Sequence, residues 1–583
     1  MPAQTTQQLF EEAEKLFAAR RLQEAETLYR RVLEQDPNHP GAQHMIGIIL
    51  FGQGRHADAV AAIRRAIAAD PASAEFHRDL GAILAKLNDT HGAAAAFIRA
   101  SELDLQDATA LMRLGELYAS QYRTEQAMEA FAAAVLRKPD SATALNNLGM
   151  LLKDMGQMPK AMDCFQRALA IDPNRPEIDS NRVYATHFIF DDPAAILAEH
   201  RIWDRRHAQP LAAEIREHPN DRDPNRRLRI GYLSPDFYQH VQALFTIPLL
   251  SRPDRANFEI FCYADVPNPD SYTRELRTYC SAWRETAGKS DAEIAQMIRA
   301  DRIDVLIDLT MHMSRGRPLV MARRPAPVQI AWLAYPGTTG LSAIDYRLTD
   351  PHLDPPGIGD EFYTEKSIRL PETFWCYDPL TENLPVNPLP ALASGHITFG
   401  CLNNFCKISD DLLQLWSQVM HQVPSSRLVL LAPEGSARQR VLDVTGLPAK
   451  RIDFVPIQTR PQYLQTYHRI DLGLDTFPYN GHTSSLDSLW MGVPVITLSG
   501  RTPVSRAGLS QAMNLDLPDL VSHTREDFVN RAVIWTQDLP RLAELRSNLR
   551  PRMAKSPLMD SSRFARHIES VYRDLWRVWC KGT

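Results

Sequence analysis

The sequence predicts an α plus α/β protein, an all-helical repeat array followed by two halves of parallel sheet covered by helices. Three observations carry that expectation. Residues recur with a period of 34 through the first 175 positions. After Arg227, short β-rich runs alternate with longer helical ones. A Pro-rich break, "NLPVNPLPALASG" at 383–395, divides that alternation in two. At 583 residues the chain is too long for a single core.

The 34-residue ruler is legible at several positions at once. Asp36-Pro37, Asp70-Pro71, Asp104-Leu105, Lys138-Pro139 and Asp172-Pro173 keep step, as do Gly47, Gly81, Gly115 and Gly149. Ala25, Ala59, Ala93, Ala127 and Ala161 form another series, and Tyr29, Ile63, Phe97, Phe131 and Phe165 a further one. A small residue lets two helices approach, an apolar residue four positions on shares its face, and Pro stops the second helix of each pair. The pattern resembles the tetratricopeptide repeat, in five copies over 6–174. Such pairs stack into a superhelix whose concave face holds an extended peptide or partner helix. The array itself does no chemistry and reads either as a scaffold or as a surface for substrate proteins. Asn146-Asn147 is placed to grip a peptide backbone, but Met45, Asp79 and Arg113 stand at the matching positions, so no asparagine ladder is expected. Over 175–227 the period is lost, and "NRPEIDSNR" and "EHPNDRDPNRR" read as polar connectors around a helix near Pro193 to Pro210.

Strand-length apolar runs follow at 228–237, 258–265 and 302–310, and, past the break, at 396–404, 427–433, 451–456, 471–481 and 493–500. Helical segments such as Asp291 to Asp301 separate them, which predicts parallel, helix-covered sheets. Two Rossmann-like domains at 228–388 and 395–560, facing across a cleft and followed by a C-terminal helix at 561–583, are the simplest arrangement.

Bulk numbers exclude several classes. The 65 basic and 70 acidic residues leave a net charge of -5, so nothing global calls for nucleic acid or an anionic membrane. Met1 to Arg30 lacks a charged-then-apolar leader, and no run reaches the roughly 18 apolar residues of a membrane span, so a cytoplasmic location is expected. The seven cysteines contain no Cys-x-x-Cys pair and are expected to be reduced. Neither half carries Gly-x-Gly-x-x-Gly after its first strand or a Gly-Lys-Ser/Thr loop, which speaks against hydride transfer and ATP hydrolysis.

One stretch asks for chemistry. "FPYNGHTSSLDSLWMGVP", 477–494, places three hydroxyls between an apolar strand and an apolar helix. Thr483, Ser484 or Ser485 can cap that helix, while a helix start also suits an anion such as phosphate. Ligands of such sheets bind beyond the carboxyl ends of strands, where Asp236, His240, Asn403, Lys407, His482 and Asp487 all fall. The one Asp-x-Asp triplet of metal-binding type, Asp221-Arg222-Asp223, stands in the polar linker.

The repeats together with "GYLSPDFYQH", "RPAPVQIAWLAYPGTTG", "CLNNFCKIS" and "LDTFPYNGHTSSLDSLWMGVPVITLSG" resemble the nucleotide-sugar-dependent protein O-glycosyltransferases typified by O-GlcNAc transferase. The likeness spans Thr6 to Lys581. It implies a GT-B fold, an inverting mechanism with no metal or other cofactor, and UDP-GlcNAc as donor to Ser or Thr hydroxyls of proteins presented by the repeats. By the same resemblance Lys407 stabilises the leaving diphosphate, His482, Thr483 and Ser484 surround it, Asn404 belongs to the donor site, and Asp487 meets sugar or ribose hydroxyls. His240 corresponds to the active-site histidine, as base or as positioner of donor and acceptor. Tyr335, Pro336 and Gly337 of "YPGTTG", whose glycines permit unusual backbone angles, are expected on the acceptor or sugar side, with His312 and Arg317 as weaker candidates. Arg460 and Tyr463 stand where animal relatives use a ribose-binding Lys and a uracil-stacking His, which keeps a cation and a ring there. "KISDDLLQLWSQVMHQVPSSRLVLL" and "DTFPYNG" resemble the SPINDLY-type plant relatives at least as closely, which makes GDP-fucose the alternative donor. The Gly-His-Thr-x-x-x-Asp spacing of His482, Thr483 and Asp487 favours GlcNAc, and the long insert of animal enzymes between the catalytic halves is absent.

Overall fold

The computed structural model describes residues 4–381 and 384–582; residue 383, where the break is predicted to begin, lies outside them. The chain forms two compact units that divide between Leu151 and Leu152, inside the fifth repeat rather than at its end.

The smaller unit is built of helical pairs: Thr6–Ala18 with Leu22–Gln35, Pro40–Gly52 with His56–Ala69, Ala74–Lys86 with Thr90–Leu103, and Thr109–Ala119 with Thr124–Arg137. Ala25, Ala59, Ala93 and Ala127 are fully buried. Two of the sequence series prove to be opposite sides of one contact. A Cβ on Gly81 would sit 2.7 Å from the Phe97 ring, one on Gly115 2.7 Å from Phe131, and one on Gly47 2.5 Å from Ile63. Each glycine is therefore the hollow that receives the bulky residue of its partner helix, and the period is a packing period.

The larger unit opens on the last turn of the helix Ala142–Asp154 and continues through Met158–Ile171, Pro176–Thr186 and Pro193–Trp203. The helix Pro176–Thr186 corrects the sequence reading, which took 174–182 for a polar connector. Its polar residues are satisfied from within: Asp179, fully buried, accepts from Arg182 Nε at 2.8 Å, Arg206 at 3.0 Å and His207 at 3.0 Å. Pro176 starts the helix, where its missing N–H costs nothing. The polypeptide then widens into a π turn over Asp204–Ala208 and tightens into a 3-10 turn over Gln209–Glu214, in place of the regular helix predicted to Pro210.

Two sheets follow. The first holds β1 (Leu228–Ser234), β2 (Phe258–Ala264), β3 (Ala282–Glu285), β4 (Val305–Asp308), β5 (Val328–Ala331), β6 (Tyr346–Thr349) and β7 (Lys366–Arg369), in the order β3-β2-β1-β4-β5-β6-β7. The second holds β8 (Thr398–Cys401), β9 (Arg427–Leu431), β10 (Ile452–Val455), β11 (Leu472–Leu474), β12 (Val495–Leu498) and β13 (Val521–Ser522), in the order β10-β9-β8-β11-β12-β13. All pairings are parallel. β3, β5, β6, β7 and β13 are not among the predicted runs, and of the predicted 471–481 only three residues are strand. Both orders reverse direction once, between β1 and β4 and between β8 and β11, and such reversal points open the crevices in which ligands bind.

The chain crosses between the lobes after Tyr377 and returns near Leu558, and the crossings touch: Tyr377 N donates to Leu558 O at 2.7 Å. The final helix, Ser561–Cys580, then covers the first lobe. Phe564, Ala565, Ile568, Tyr572, Leu575 and Trp576 form its buried stripe, and the Tyr572 hydroxyl meets that of Tyr232 on β1 at 2.9 Å. Among the described residues no helix is long and apolar enough to cross a membrane.

Candidate active site

The first cluster grows from the reversal point of the second sheet. After β11 the loop Asp475–Gly481 is fixed by one buried carboxylate: Asp475 accepts from Thr476 N at 2.8 Å, Gly481 N at 2.7 Å and Thr497 Oγ1 at 2.7 Å. Burial pushes that carboxyl up to about 6 against these bonds. Gly481 admits no side chain, because a Cβ would lie 2.1 Å from Ser485 Oγ. Across the crevice, β8 ends in Asn403-Asn404 and a single 3-10 turn, Phe405–Lys407, started by Asn404 Oδ1 accepting from Cys406 N at 3.2 Å. That turn aims Lys407 back at the loop. Its Nζ donates to Asn480 O at 2.7 Å and lies 4.2 Å from the centre of the Tyr479 ring. Burial lowers the Lys407 pKa to about 8, opposed by nearby Cys406 and Asp475.

The helix Thr483–Trp490 begins beside it. The expectation that its hydroxyls cap it is not met. His482 occupies the N-cap and makes no side-chain cap bond, while Ser484 Oγ turns away to Asn403 Oδ1. The first turn's N–H groups thus receive no bond from the side chain at the cap. The His482 ring stands 4.9 Å from Tyr479 and 5.4 Å, edge on, from Trp375. Burial and then Lys407 hold it well below the usual histidine range, and among the described residues its Nε2 has no hydrogen-bond partner. A neutral imidazole, an ammonium and an open helix start therefore converge.

Asp487, one turn along, is 1% exposed and already engaged. Arg460 forks onto it, NH1 to Oδ2 at 2.7 Å and NH2 to Oδ1 at 2.6 Å, and the Tyr377 hydroxyl donates to Oδ1 at 2.6 Å. Two residues expected to contact the donor separately are one ion pair, tied to the first lobe through Tyr377, a residue the sequence reading did not select. Tyr463, half-buried, shares a 2.9 Å hydroxyl contact with Tyr467, which donates to Ser484 O at 2.9 Å. The aromatic pair thus braces the same helix start. Asn404 is exposed, and Thr483 is half-buried in the helix's first turn.

The second cluster lies at the reversal point of the first sheet. His240, with its side chain 25% exposed, places Nδ1 3.8 Å from Asp236 Oδ2, while Gln242 N donates to Nδ1 at 3.4 Å. Burial lowers the His240 pKa, with Asp236 opposing. The helix Ala243–Leu250 leads directly from this histidine to the crossing: Asp378 N donates to Leu244 O at 2.8 Å, and Phe245 packs 6.1 Å from the Tyr377 ring. Both clusters are in this way anchored to one residue.

Three expectations on the first lobe are corrected. His312 is no open site residue: it is 1% exposed, its Nδ1 meets Ser180 Oγ at 3.1 Å and its Nε2 meets Thr339 O at 2.8 Å. Burial lowers its pKa to about 4, so it is a neutral, doubly satisfied core histidine. Arg317 is bound to Asp265 at 2.8 Å and Asp291 at 3.1 Å. Tyr335, Pro336 and Gly337 are all buried, and they pack on the helical segment before the lobe, the Tyr335 ring 5.4 Å from Tyr184 and 4.6 Å from His187. Gly337 lacks a positive φ and serves close approach instead, a Cβ there lying 3.0 Å from His187 Cε1; the left-handed glycine of the motif is Gly340, φ 72°.

Among the described residues, His44, Glu75 and Asp79 of the smaller unit are the one group of His, Cys, Asp and Glu close enough to share an ion. Neither reversal point holds such a group.

Residues 195–382 and 389–568 match the profile of Glycosyl transferase family 41, and 10–74, 78–138 and 142–175 match tetratricopeptide repeat profiles. The chain is 39% identical over 426 residues to the probable UDP-N-acetylglucosamine–peptide N-acetylglucosaminyltransferase SPINDLY of Petunia hybrida, which covers 71% of this chain and 46% of that one. It is 30% identical over 370 residues to the probable UDP-N-acetylglucosamine–peptide N-acetylglucosaminyltransferase SEC of Arabidopsis thaliana, covering 61% and 38%. A solved mutant of the O-GlcNAc transferase of Thermobaculum terrenum superposes with a TM-score of 0.80 at 33% identity, over 88% of this chain and 99% of that one. The chain spans about half the length of the plant relatives it matches.

Proposed function

The chain belongs to glycosyl transferase family 41, and from that membership we propose that it is an inverting protein O-glycosyltransferase, moving GlcNAc from UDP-GlcNAc to Ser or Thr hydroxyls of proteins held by its repeats. One observation carries the reading: the Lys407 ammonium is seated on Tyr479 and on Asn480 O, in the loop that leads directly into Thr483–Trp490, a helix whose N-cap makes no side-chain bond.

In the reaction the acceptor oxygen forms a bond to the sugar's anomeric carbon as the bond to the diphosphate breaks on the opposite face. Negative charge gathers on the departing phosphate oxygens, and donors already aimed there lower the barrier. Lys407 supplies a cation, the N–H groups of Thr483 and Ser484 supply fixed dipoles, and neutral His482 adds a ring N–H or lone pair. We assign these groups the task a divalent ion performs in other transferases. His240 takes the acceptor proton, and Asp236, 3.8 Å away, stabilises the imidazolium that forms. Arg460 and Asp487 as a pair, with Asn404 and Tyr463, are assigned to the nucleoside end. The names of the plant relatives favour UDP-GlcNAc over GDP-fucose as donor.

The test incubates the full chain with Ser/Thr peptides and UDP-GlcNAc, UDP-glucose or GDP-fucose separately. Consumption of UDP-GlcNAc with peptide modification is expected, and Lys407→Ala is expected to lower kcat by about 100- to 1000-fold, the cost of losing a main oxyanion stabiliser. Turnover of GDP-fucose alone would reassign the donor, and near-normal kcat in Lys407→Ala would remove the mechanism.

A further inference from the structure

We propose that the segment following the repeats, Tyr184 to Asp191, is a wall of the active centre, and that Phe188 and Asp191 are positioning residues that fix the Lys407 ammonium. The proposal rests on the role of Lys407 given above and names what makes that role possible.

Lysine is a point charge on a flexible four-carbon stem, so a catalytic ammonium needs restraint from outside its own side chain. Among the described residues no carboxylate forms an ion pair with Lys407; its Nζ is located by a ring face and one carbonyl, Tyr479 and Asn480 O. Each of these is held by the Tyr184–Asp191 segment through a separate route.

The first route is aromatic. The Phe188 ring stacks on Tyr479, centroids 4.8 Å apart and planes 15° apart, and Phe188 is itself braced edge-on by Tyr184 at 5.1 Å. Phe188 is 7% and Tyr479 4% exposed, so the stack is dry. The ring on which the ammonium rests thus has a residue of the turn after Pro176–Thr186 as its backing.

The second route is polar. Asp191, in the turn before Pro193–Trp203, accepts from Arg501 N at 2.8 Å, Thr502 N at 3.1 Å and Ser505 Oγ at 2.7 Å. A side chain on Gly500 would lie 2.5 Å from Asp191 Oδ2, so the loop after β12 is folded around the carboxylate. From that loop Val504 O accepts from Asn480 N at 3.0 Å, and Asn480 O is the acceptor for Lys407. The carboxylate therefore sets the position of the peptide that receives the ammonium. Neither Phe188 nor Asp191 can reach the phosphate-binding helix start by its own hydrogen bonds; both act through another residue.

The experiment compares Phe188→Leu, which fills the space without a ring, Phe188→Tyr, which keeps the ring, and Asp191→Ala, with Lys407→Met alongside. Each is measured for kcat, donor KM, the pH dependence of kcat/KM, UDP affinity by calorimetry, and thermal unfolding. Phe188→Leu and Asp191→Ala are expected to lower kcat by about 10- to 100-fold, the scale of a misplacement near 1 Å, with donor KM within about 3-fold of the original. Their alkaline limb is expected to move upward, because water admitted beside the ammonium relieves the burial that depresses it. Phe188→Tyr is expected to retain kcat. Should Asp191→Ala fail to fold, Phe188→Leu decides. If Lys407→Met loses transfer while Phe188→Leu and Asp191→Ala keep both kcat and the alkaline limb, the positioning role is overturned and Lys407 stands. If Lys407→Met transfers normally, the underlying reading falls instead.

Discussion

Two titrating side chains bracket the proposed chemistry, and burial moves both the same way. Lys407 is brought to about 8, so it carries its charge below that pH and loses it above. His240 is lowered from the ordinary histidine value, so it stays a neutral base until the pH falls below about 6.5. The sign is therefore fixed at each end: activity is lost with rising pH as Lys407 deprotonates and with falling pH as His240 protonates. A bell-shaped kcat/KM profile is expected, with its alkaline limb near 8 and its acid limb below 6.5; a profile flat from about 7 to 9 would contradict the Lys407 assignment, and an acid limb above 6.5 the His240 assignment. Lys407, His482 and Asp487 were legible in the sequence because strand ends of a parallel sheet are where ligands bind, and a position in the chain is enough to say so. That Asp487 is shared by Arg460 and Tyr377 was not, since partners 27 and 110 residues away leave no local trace. His312 misleads for a related reason. A histidine at a strand end looks the same whether its nitrogens are free or, as here, held by Ser180 and Thr339.

Elements are legible when one face is apolar and obscure when buried polar groups satisfy one another. The repeat helices announce themselves because a glycine faces a bulky residue in three of the four pairs, Gly47 with Ile63, Gly81 with Phe97 and Gly115 with Phe131. Gly115→Val is expected to overpack against Phe131 and destabilise the smaller unit by about 1–3 kcal/mol, lowering its unfolding transition in calorimetry; an unchanged transition would mean that the Phe131 ring can move aside. β6 hides for the opposite reason. Arg347 in "YRLT" is 1% exposed, yet it is paired with Asp354 and set against the Tyr363 ring at 3.5 Å, so a charged residue reads as surface and is core. The helix Pro176–Thr186 is hidden in the same way, its Asp179 neutralised by Arg182, Arg206 and His207.

At the scale of the molecule, the alternation of strands and helices with one Pro-rich break was enough to foresee two sheet-based lobes, because parallel strands require helical crossovers. The destination of the last helix was not foreseeable, since an amphipathic stripe states that a face is buried and not against which sheet. It returns to the first lobe, where Phe564, Ile568, Tyr572 and Trp576 are all below 4% exposed. Each such side chain contributes about 1.5–3 kcal/mol by burial, which together rivals the 5–15 kcal/mol net stability of a typical domain. A chain ending at Asp560 is therefore expected to lose the native first lobe, seen as dye-accessible apolar surface and a missing cooperative transition. A stable, soluble product with native melting would show the helix to be dispensable.

The bond from Tyr377 N to Leu558 O makes the two passages of backbone a clasp rather than a pair of separate ropes. Any breathing of the gap between the lobes swings about that clasp, and the phenol of the same tyrosine grips Asp487. Rotation of the lobes about the clasp would move Asp487 less than the rims farthest from it, and on the assignment proposed above this puts the nucleoside end of the donor nearest the pivot.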